Sequence, residues 1–265
     1  MDLKNICTEM VEAARETALF ILGESKKFDK RSVESKGLNN FVSYVDRGAE
    51  EMLVEKLGTI IPEAGFITEE GTSEKRGIRW SWVIDPLDGT TNFMHGLHPY
   101  AISIGLTDNG EVVAGVIYEV SGNEIFTAWK NGGAWLNGAP IKVSDTDKLS
   151  RSLVATGFPY SKFERLPGYM ECLIHFLKHS HGVRRLGSAS VDLAYVACGI
   201  FDAFYEYDLH LWDIAAGMLI VREAGGMVSD FAGNMNNLTG EEIIATNMNI
   251  WPETVEIVSN FMLKE

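Results

Sequence analysis

Apolar residues near the start of the chain recur every three or four positions, which is the spacing of one face of an α-helix. They are Leu3, Ile6, Cys7, Met10, Ala13, Ala14 and Ile21. Gly23 follows them and predicts the end of that helix. A second apolar stripe, within residues 52–57, predicts another helix that begins after Asp46 and ends near Gly58. The chain therefore opens with two predicted amphipathic helices.

Short apolar runs then replace the helical spacing. Residues 65–68 and 80–84 are too short for helices and predict two buried strands, each of which leads directly into acidic residues. Between residues 100 and 143, apolar segments alternate with D-N-G, S-G-N, N-G-G and N-G. Because Gly and Asn tolerate the positive φ of tight hairpin turns, this stretch predicts an antiparallel meander.

The last part of the chain alternates between the two element types. We predict strands at residues 153–156, 201–205 and 227–229, and helices around 169–178, 189–198 and 213–223. A mixture of this kind favours an α/β fold of stacked sheet and helix layers. Since no repeat or linker interrupts the sequence, we expect one domain over residues 1–265. Its N-terminal part, about 1–145, contains the meander, and its C-terminal part, about 146–265, alternates.

Composition and charge narrow the function classes. With 265 residues, 46% of them hydrophobic, the chain can bury a large core. The net charge of −14 argues against a nucleic-acid partner, because such binding depends on Lys and Arg. The longest apolar runs fall short of the roughly 20 residues of a membrane span, so we expect no membrane partner. The acidic N-terminus lacks the pattern of a secretory signal, and we expect a cytoplasmic protein.

Acidic residues follow the predicted strands or begin a predicted helix. Glu69 follows residues 65–68, Asp85 and Asp88 follow residues 80–84, and Asp213 opens the helix at 213–223. Carboxylates mounted on rigid elements suit a hard divalent cation. Each residue taken alone also has an ordinary structural interpretation, as a turn, a loop acid or, for Asp213, a helix cap.

The residues after Asp88 favour the functional interpretation. Gly89, Thr90, Thr91 and Asn92 place a flexible backbone and hydroxyl groups next to two acids, which suits an anion, above all where a helix begins. An acidic site repels phosphate unless cations lie between the two. The combination therefore indicates Mg²⁺ or a similar ion together with a phosphate group.

Two long motifs resemble those of a known family. W-V-I-D-P-L-D-G-T-T-N-F-M-H, from Trp82, and W-D-I-A-A-G-M-L-I-V-R-E-A-G-G, from Trp212, are similar to the motifs of the inositol monophosphatase family, which are Mg²⁺-dependent, lithium-sensitive phosphatases. T-E-E-G at 68–71 and F-V-S-Y-V-D at 41–46 extend the resemblance. It implies an αβαβα sandwich, of the type shared with fructose-1,6-bisphosphatase, and a homodimer.

The resemblance also implies roles for individual residues. Glu69, Asp85 and the carbonyl of Leu87 would bind one Mg²⁺, and Asp85, Asp88 and Asp213 a second. A third ion near Glu69 is left open.

Catalysis in the family implies three further roles. Glu69 and the Thr90 hydroxyl would orient the attacking water, and Asp46 would hold that hydroxyl. Asp46 also has an ordinary interpretation as a helix cap. The amides of Gly89 and Thr90 would bind the phosphate.

The substrate-binding residues that the resemblance implies are Asp88, Gly89, Thr90, Gly187, Ser188, Ala189, Glu206 and Asp213. A carboxylate such as Glu206 accepts hydrogen bonds from hydroxyl groups, which suits a polyol. An exposed acid at a strand end explains Glu206 equally well.

We therefore expect a phosphatase that acts on inositol monophosphate, such as inositol-1-phosphate, and that takes a small phosphate ester as its ligand. A 3′(2′),5′-bisphosphate nucleotidase and a fructose-1,6-bisphosphatase are alternatives with the same chemistry. Thr91 argues against the nucleotidase, which usually has Lys at this position. A non-catalytic alternative, a metal-dependent sensor of a phosphate ligand, predicts a damaged site, whereas every expected ligand is present in this sequence.

Overall fold

The computed structural model describes residues 1–27, 34–37, 40–236 and 239–263, and for residues 34–37 and 40–42 it describes the backbone alone. The helices within these ranges are α1 Leu3–Ser25, α2 Tyr44–Ile60, α3 Thr90–His95, α4 Leu166–His179, α5 Ala189–Ala197, α6 Leu211–Glu223 and α7 Trp251–Met262. The strands are β1 Glu34–Gly37, β2 Asn40–Val42, β3 Gly65–Thr68, β4 Trp80–Asp88, β5 Ala101–Asp108, β6 Glu111–Glu119, β7 Glu124–Trp129, β8 Ala134–Leu136, β9 Ala139–Ile141, β10 Leu153–Thr156, β11 Gly182–Arg184, β12 Ala203–Tyr207, β13 Met227–Ser229 and β14 Glu242–Thr246.

Five layers stack in the order helix, sheet, helix, sheet, helix. The first sheet has the strand order β3-β4-β5-β6-β7-β8-β9, and the second has β11-β10-β12-β14-β13. Helices α1 and α2 cover the outer face of the first sheet, α5 and α6 lie between the sheets, and α4 and α7 cover the second. Three hydrophobic clusters fill the spaces on either side of the sheets. The predicted αβαβα sandwich is confirmed.

Several predicted elements agree with the structure. The strand at residues 65–68 is β3, and the meander is the antiparallel run β5 to β9. Its turns hold Asn109, Gly110, Asn137 and Gly138 at positive φ, as the Asn-Gly pairs predict. The helix predicted to end at Gly23 continues to Ser25, because Gly23 keeps a helical conformation there.

Other element boundaries were wrong. The second helix begins at Tyr44 rather than after Asp46, because Ser43 is the N-cap and Asp46 bonds back to it from the first turn. The strand expected at 201–205 is β12, Ala203–Tyr207, since Phe201 N donates to Tyr195 O and closes α5 instead. Strands β11 and β14 and helix α7 were not predicted.

Strand β4 is longer than the sequence pattern suggests. It was expected to end at Ile84, but it continues to Asp88 with an irregular register against β5 between Asp85 and Asp88. Pro86 lies within this irregularity, where a missing N–H is tolerated. Gly89 forms the turn that follows β4, at a φ of +92°.

Helix α6 packs unusually close to the first sheet because small residues meet at the contact. A Cβ on Gly105 would lie 3.2 Å from Ala215 Cβ, and one on Gly115 would lie 3.0 Å from Ala216 O. On another side of α6, a Cβ on Gly217 would lie 2.6 Å from Leu193 Cβ. The Ala-Ala-Gly part of the second motif therefore lets α6 fit into the middle layer.

In the part of the chain that the structure describes, no helix has both the length and the apolar character needed to cross a membrane.

The close packing of α6 predicts opposite effects for two helical glycines. Gly217→Ala should lower the free energy of unfolding by about 1–3 kcal/mol, because the added methyl group overlaps Leu193. In α1, the methyl group added by Gly23→Ala would have no atom within 4 Å, so this change should raise the free energy of unfolding by up to about 1 kcal/mol through helix propensity. Denaturant unfolding of both variants measures the two changes. A stabilised Gly217→Ala would contradict the packing.

Candidate active site

Strand pairing brings the first two acids together. Strands β3 and β4 run parallel with Thr68 opposite Ile84, and Glu69 N donates to Ile84 O at 3.2 Å. Glu69 therefore follows β3 at the level where Asp85 lies on β4. Two segments that are separate in sequence thus place their carboxylates at one end of the sheet.

Asp213 reaches the same place through β5. Ser103 on β5 is the cross-strand partner of Asp85, and its Oγ donates to Trp212 O at 3.2 Å. Asp213 follows Trp212 in the first turn of α6, so this bond fixes the start of the helix against the strand that carries Asp85. The close packing of α6 makes this contact possible.

One pocket collects nearly all of the predicted site residues. Its lining includes Glu69, Asp85, Leu87, Asp88, Gly89, Thr90, Gly187, Ser188, Ala189, Glu206 and Asp213. Thr91, which the sequence interpretation placed next to the acids, also lines the pocket. The lining residues that it did not assign to the site are Tyr160, Ser161, Arg185, Asp208, Leu209, His210 and Trp212. Asp46 lies behind Thr90. The structure brings the predicted residues together, and their chemical roles stay predictions.

The carboxylates of the pocket are electrostatically strained. Asp85 is 2% exposed, and burial raises its pKa well above the usual range, followed by the negative charges of Glu69, Asp88 and Asp213. Burial and then the charge of Asp213 raise the pKa of Asp88 to about 6, although Ser188 and Ser190 donate to it. Like charges held this closely need a positive group to offset their repulsion.

The side chains are not arranged as a finished coordination sphere. Across the described ranges, no three Asp, Glu, His or Cys side chains stand at distances that would hold a metal ion. Asp85, Asp88 and Asp213 instead accept hydrogen bonds from protein donors. Asp85 Oδ1 accepts from Leu87 N at 2.9 Å, and Asp213 Oδ2 accepts from His210 N at 2.6 Å.

Asp46 forms a link between α2 and the motif loop. Its Oδ1 accepts from the Thr90 hydroxyl at 2.9 Å, and its Oδ2 accepts from Ser43 N and from Ser43 Oγ. The Thr90 hydroxyl also lies 3.0 Å from Leu87 O. Burial raises the pKa of Asp46, while the bonds from Ser43 and Thr90 lower it. The N-cap of α2 is therefore Ser43 rather than Asp46, and Asp46, in the first turn, bonds both to that cap and to Thr90.

The two halves of the pocket rim touch through glycines and one amide. A Cβ on Gly89 would lie 3.0 Å from Pro99 O and 3.3 Å from Gly187 O, so these loops meet without side chains. Asn92 Nδ2 donates to Pro99 O at 2.8 Å and to Leu186 O at 2.9 Å. The sequence interpretation assigned no such tie to Asn92. Asn92 and Leu186, whose hydrogen bond joins the two rims, are 94 positions apart in the sequence, and local sequence patterns do not reveal such a contact.

The start of α5 holds Asp88 in place. Asp88 Oδ2 accepts from Ser188 Oγ at 2.7 Å, from Ser190 N at 2.7 Å and from Ser190 Oγ at 2.5 Å. Ser188, expected beside the substrate, thus contacts a carboxylate directly. Ser190 was missed, although a second serine in the first turn of a predicted helix is a signal that could have suggested it.

Two further carboxyls lie behind this rim. Glu206, on β12, is buried, and burial raises its pKa well above the usual range while the Arg185 charge lowers it. Asp192, on α5, is also buried, and neither of its oxygens has a hydrogen-bond partner among the described residues. Burial and then the charges of Glu206 and Asp88 raise the pKa of Asp192 well above the usual range.

Glu50 fixes the segment that carries Glu69. This residue of α2 is fully buried, and its carboxylate accepts from Glu70 N at 2.7 Å, from Thr72 N at 2.8 Å and from Thr72 Oγ1 at 2.8 Å. An acid on the buried face of α2, beside Ala49 and Leu53, is the sequence signal that could have revealed it. Glu50 therefore holds the backbone immediately after Glu69.

Neutralising the Glu50 carboxylate should loosen the backbone at residues 70–72. Glu50→Gln turns an amide N–H₂ toward a backbone N–H, so we expect the free energy of unfolding to fall by about 1.5–3 kcal/mol. Amide hydrogen exchange at Glu70 and Thr72 should become faster. Glu51→Gln, which changes an exposed acid on the same helix, is the matched control. Equal exchange rates in the two variants would contradict this function of Glu50.

Several known proteins resemble this chain over nearly its whole length. The model of the inositol monophosphatase family matches residues 2–261. A protein of Neisseria meningitidis named putative Nus factor SuhB is 41% identical over 94% of this chain and 95% of its own. The inositol-1-monophosphatase of Mesorhizobium japonicum is 38% identical over 96% of this chain and 93% of its own.

A solved structure shows the same fold. The extragenic suppressor protein suhB of Bartonella henselae superposes with a TM-score of 0.89 at 37% identity, covering 96% of this chain and 98% of that one. The match to the family model spans almost the whole sequence and includes both motifs that surround the pocket. This chain belongs to the inositol monophosphatase family.

Proposed function

We propose that this protein hydrolyses the phosphate monoester of a small polyol, such as inositol-1-phosphate, to the polyol and inorganic phosphate with the aid of Mg²⁺. Membership of the family implies a phosphatase. The observation that carries the proposal is the convergence of Glu69, Asp85, Asp88 and Asp213 on a pocket that also contains the first turn of α3. Carboxylates suit a divalent cation and helix-start amides suit phosphate, so the pocket offers both partners.

The residues present fit a divalent cation. Asp85 is buried beside three other carboxylates, and every charged group that shifts its pKa is itself acidic. Glu69, Asp85 and the Leu87 carbonyl would hold one Mg²⁺, and Asp85, Asp88 and Asp213 a second; a third ion near Glu69 is left open. When bound, Mg²⁺ would supply positive charge to the phosphate oxygens and acidify water in the pocket.

Thr90 and Glu69 would orient the attacking water. The Thr90 hydroxyl lies within hydrogen-bond distance of Asp46 Oδ1 and of Leu87 O, so its hydrogen is directed into the protein and its oxygen is left to accept one from water. Glu69 would accept the other hydrogen of that water. The water oxygen then bonds to phosphorus as the ester P–O bond breaks, and one hydrogen of that water ends on the leaving alcohol and the other on the phosphate. No covalent enzyme intermediate is required.

The amides of Gly89 and Thr90 would hold the phosphate oxygens. Amides at the start of a helix have no partner within it, and Gly89 takes a φ of +92° where α3 begins. Asp88 and Asp213 border the same space. Gly187, Ser188 and Ala189 form the opposite rim, and the Glu206 carboxylate would accept hydrogen bonds from polyol hydroxyls.

A bisphosphate is the second candidate substrate. Arg185 lines the same pocket, and its charge lowers the pKa of Glu206. A guanidinium there favours a substrate with a second anionic group, such as fructose-1,6-bisphosphate, over a neutral polyol end. Some relatives are named inositol-1-monophosphatase and others Nus factor SuhB, so their names do not identify one substrate. Hydrolysis rates on a panel of phosphate esters would identify it.

Loss of either of two pocket acids should abolish turnover. In the presence of Mg²⁺, Asp88→Asn and Asp213→Asn should each reduce phosphate release from inositol-1-phosphate by about 100-fold or more. Each change removes a proposed ligand of Mg²⁺ and so weakens binding of the positive charge that stabilises the transition state. Glu63→Gln, which changes an exposed acid before β3, is the control and should retain activity. Unchanged release in either pocket variant would contradict the assignment, and added Li⁺ should inhibit the active proteins.

We also propose a homodimer that forms through α4. Three apolar side chains on the outer face of this helix are exposed: Met170 is 41% exposed, Ile174 46% and Leu177 57%. They lie at the spacing of one helix face, and β11 beside them is an edge strand of the second sheet. An exposed apolar stripe of this kind is typical of a protein interface.

A charged side chain in the exposed apolar stripe of α4 should dissociate the proposed dimer. Light scattering with size-exclusion chromatography should give twice the 29.3 kDa chain mass for the wild type. Ile174→Glu should convert it to monomer, because a carboxylate would be buried in the interface. Leu19→Glu, which alters a leucine 70% exposed on α1, should leave the dimer intact. A dimeric Ile174→Glu would contradict this interface.

A further inference from the structure

The segment between β10 and α4 forms one wall of the pocket. Tyr160 and Ser161 of this segment line the pocket together with Arg185 and Glu206. The Arg185 guanidinium lies over the Phe158 ring, 5.7 Å from its centroid. The carboxylates proposed to bind Mg²⁺ belong to other elements. Residues 158–162, called here the wall segment, therefore border the side of the pocket where Glu206 lies.

One buried carboxylate binds the backbone of the wall segment. Asp208 Oδ2 accepts from three consecutive backbone amides, Tyr160 N at 3.0 Å, Ser161 N at 2.8 Å and Lys162 N at 3.1 Å. The Ser161 hydroxyl also donates to this carboxylate. Asp208 is 8% exposed, so these bonds are shielded from water. All four donors belong to the wall segment.

The backbone of Asp208 indicates that its side chain matters. Asp208 has a φ of +66°, in the left-handed region where glycine is the unstrained residue. A glycine would satisfy the turn after β12 at lower conformational cost. The carboxylate supplies what glycine lacks, namely the acceptor for the wall segment. Because Asp208 is two positions after Glu206, it also fixes the position of the wall segment relative to the Glu206 carboxylate.

Tyr160 is the side chain that this arrangement directs to the substrate. Burial and then the charge of Glu206 raise its pKa to about 12, so its hydroxyl keeps a hydrogen to donate. Glu206 on the same side of the pocket accepts hydrogen bonds. A donor and an acceptor next to each other suit neighbouring hydroxyl groups on a polyol.

We propose that Tyr160 determines specificity by contacting the polyol part of the phosphate ester, and that Asp208 is the positioning residue that holds Tyr160 in place. The inference rests on the proposed phosphatase function and extends it to the choice of alcohol. It concerns the part of the substrate that leaves, whereas Asp85, Asp88 and Asp213 act on the phosphate.

The test compares two esters that differ in the leaving alcohol. Inositol-1-phosphate carries hydroxyl groups beside the phosphate, and p-nitrophenyl phosphate carries none. The measured quantity is the ratio of kcat/KM for the first to kcat/KM for the second, with Mg²⁺ present. Tyr160→Phe should lower this ratio about tenfold through a higher KM for inositol-1-phosphate, which is the effect of one lost hydrogen bond.

Two substitutions at Asp208 separate its side chain from its backbone. Asp208→Gly relieves the positive φ and removes the acceptor, so the ratio should fall about tenfold, again through KM. Asp208→Asn keeps a carbonyl oxygen and should give an intermediate ratio. Amide hydrogen exchange at residues 160–162 should be fastest in Asp208→Gly.

A matched control lies in another loop. Asp230 accepts from Ala232 N at 2.9 Å and from Asn234 N at 2.8 Å, and neither these residues nor Asp230 lines the pocket. Asp230→Asn should keep the wild-type ratio. A wild-type ratio in Asp208→Gly or Tyr160→Phe would overturn the inference while leaving the phosphatase intact. Failure of the wild type to hydrolyse either ester would overturn both.

Discussion

The close approach of α6 to the first sheet is the constraint on which the site depends. Gly105 and Gly115 on the sheet meet Ala215 and Ala216 on the helix with almost no space between them. At this distance the start of α6 lies against β5, and Ser103 bonds to Trp212 O. Asp213 thereby reaches the carboxylates that follow β3 and end β4. Larger residues at these positions would separate the helix from the sheet and disperse the acids.

The fold tolerates a concentration of negative charge because other groups hold each carboxylate in position. Ser188 and Ser190 bond Asp88, Leu87 N bonds Asp85, and Glu50 restrains the backbone after Glu69. These contacts orient the acids without neutralising them, while burial and then the neighbouring negative charges raise the pKa values of Asp85 and Asp88. Electrostatic repulsion of this kind is characteristic of functional sites rather than of stabilising interactions. A divalent cation would relieve it.

The sequence predicts those features of the site that are written in short segments. The acids at 69, 85, 88 and 213, the glycine turn at 89 and the Asn-Gly hairpins were found from local pattern, and the layered fold followed from the motifs. Contacts between distant segments were not found. Ser190, Asn92 and Asp208 act through partners 46 to 102 positions away, and neither periodicity nor turn composition records such pairs. Strand β4 was also cut short, because proline ordinarily ends a strand and here lies in an irregularity of the pairing.

We propose that these carboxylates bind divalent cations, and calorimetric titration of Mg²⁺ tests this proposal most directly. Asp85 is the acid shared by both proposed ion sites. The wild type should bind two Mg²⁺ ions per chain, and Asp85→Asn should weaken both binding events without unfolding the protein. Absence of saturable Mg²⁺ binding to the wild type, or an unchanged titration in folded Asp85→Asn, would contradict the claim.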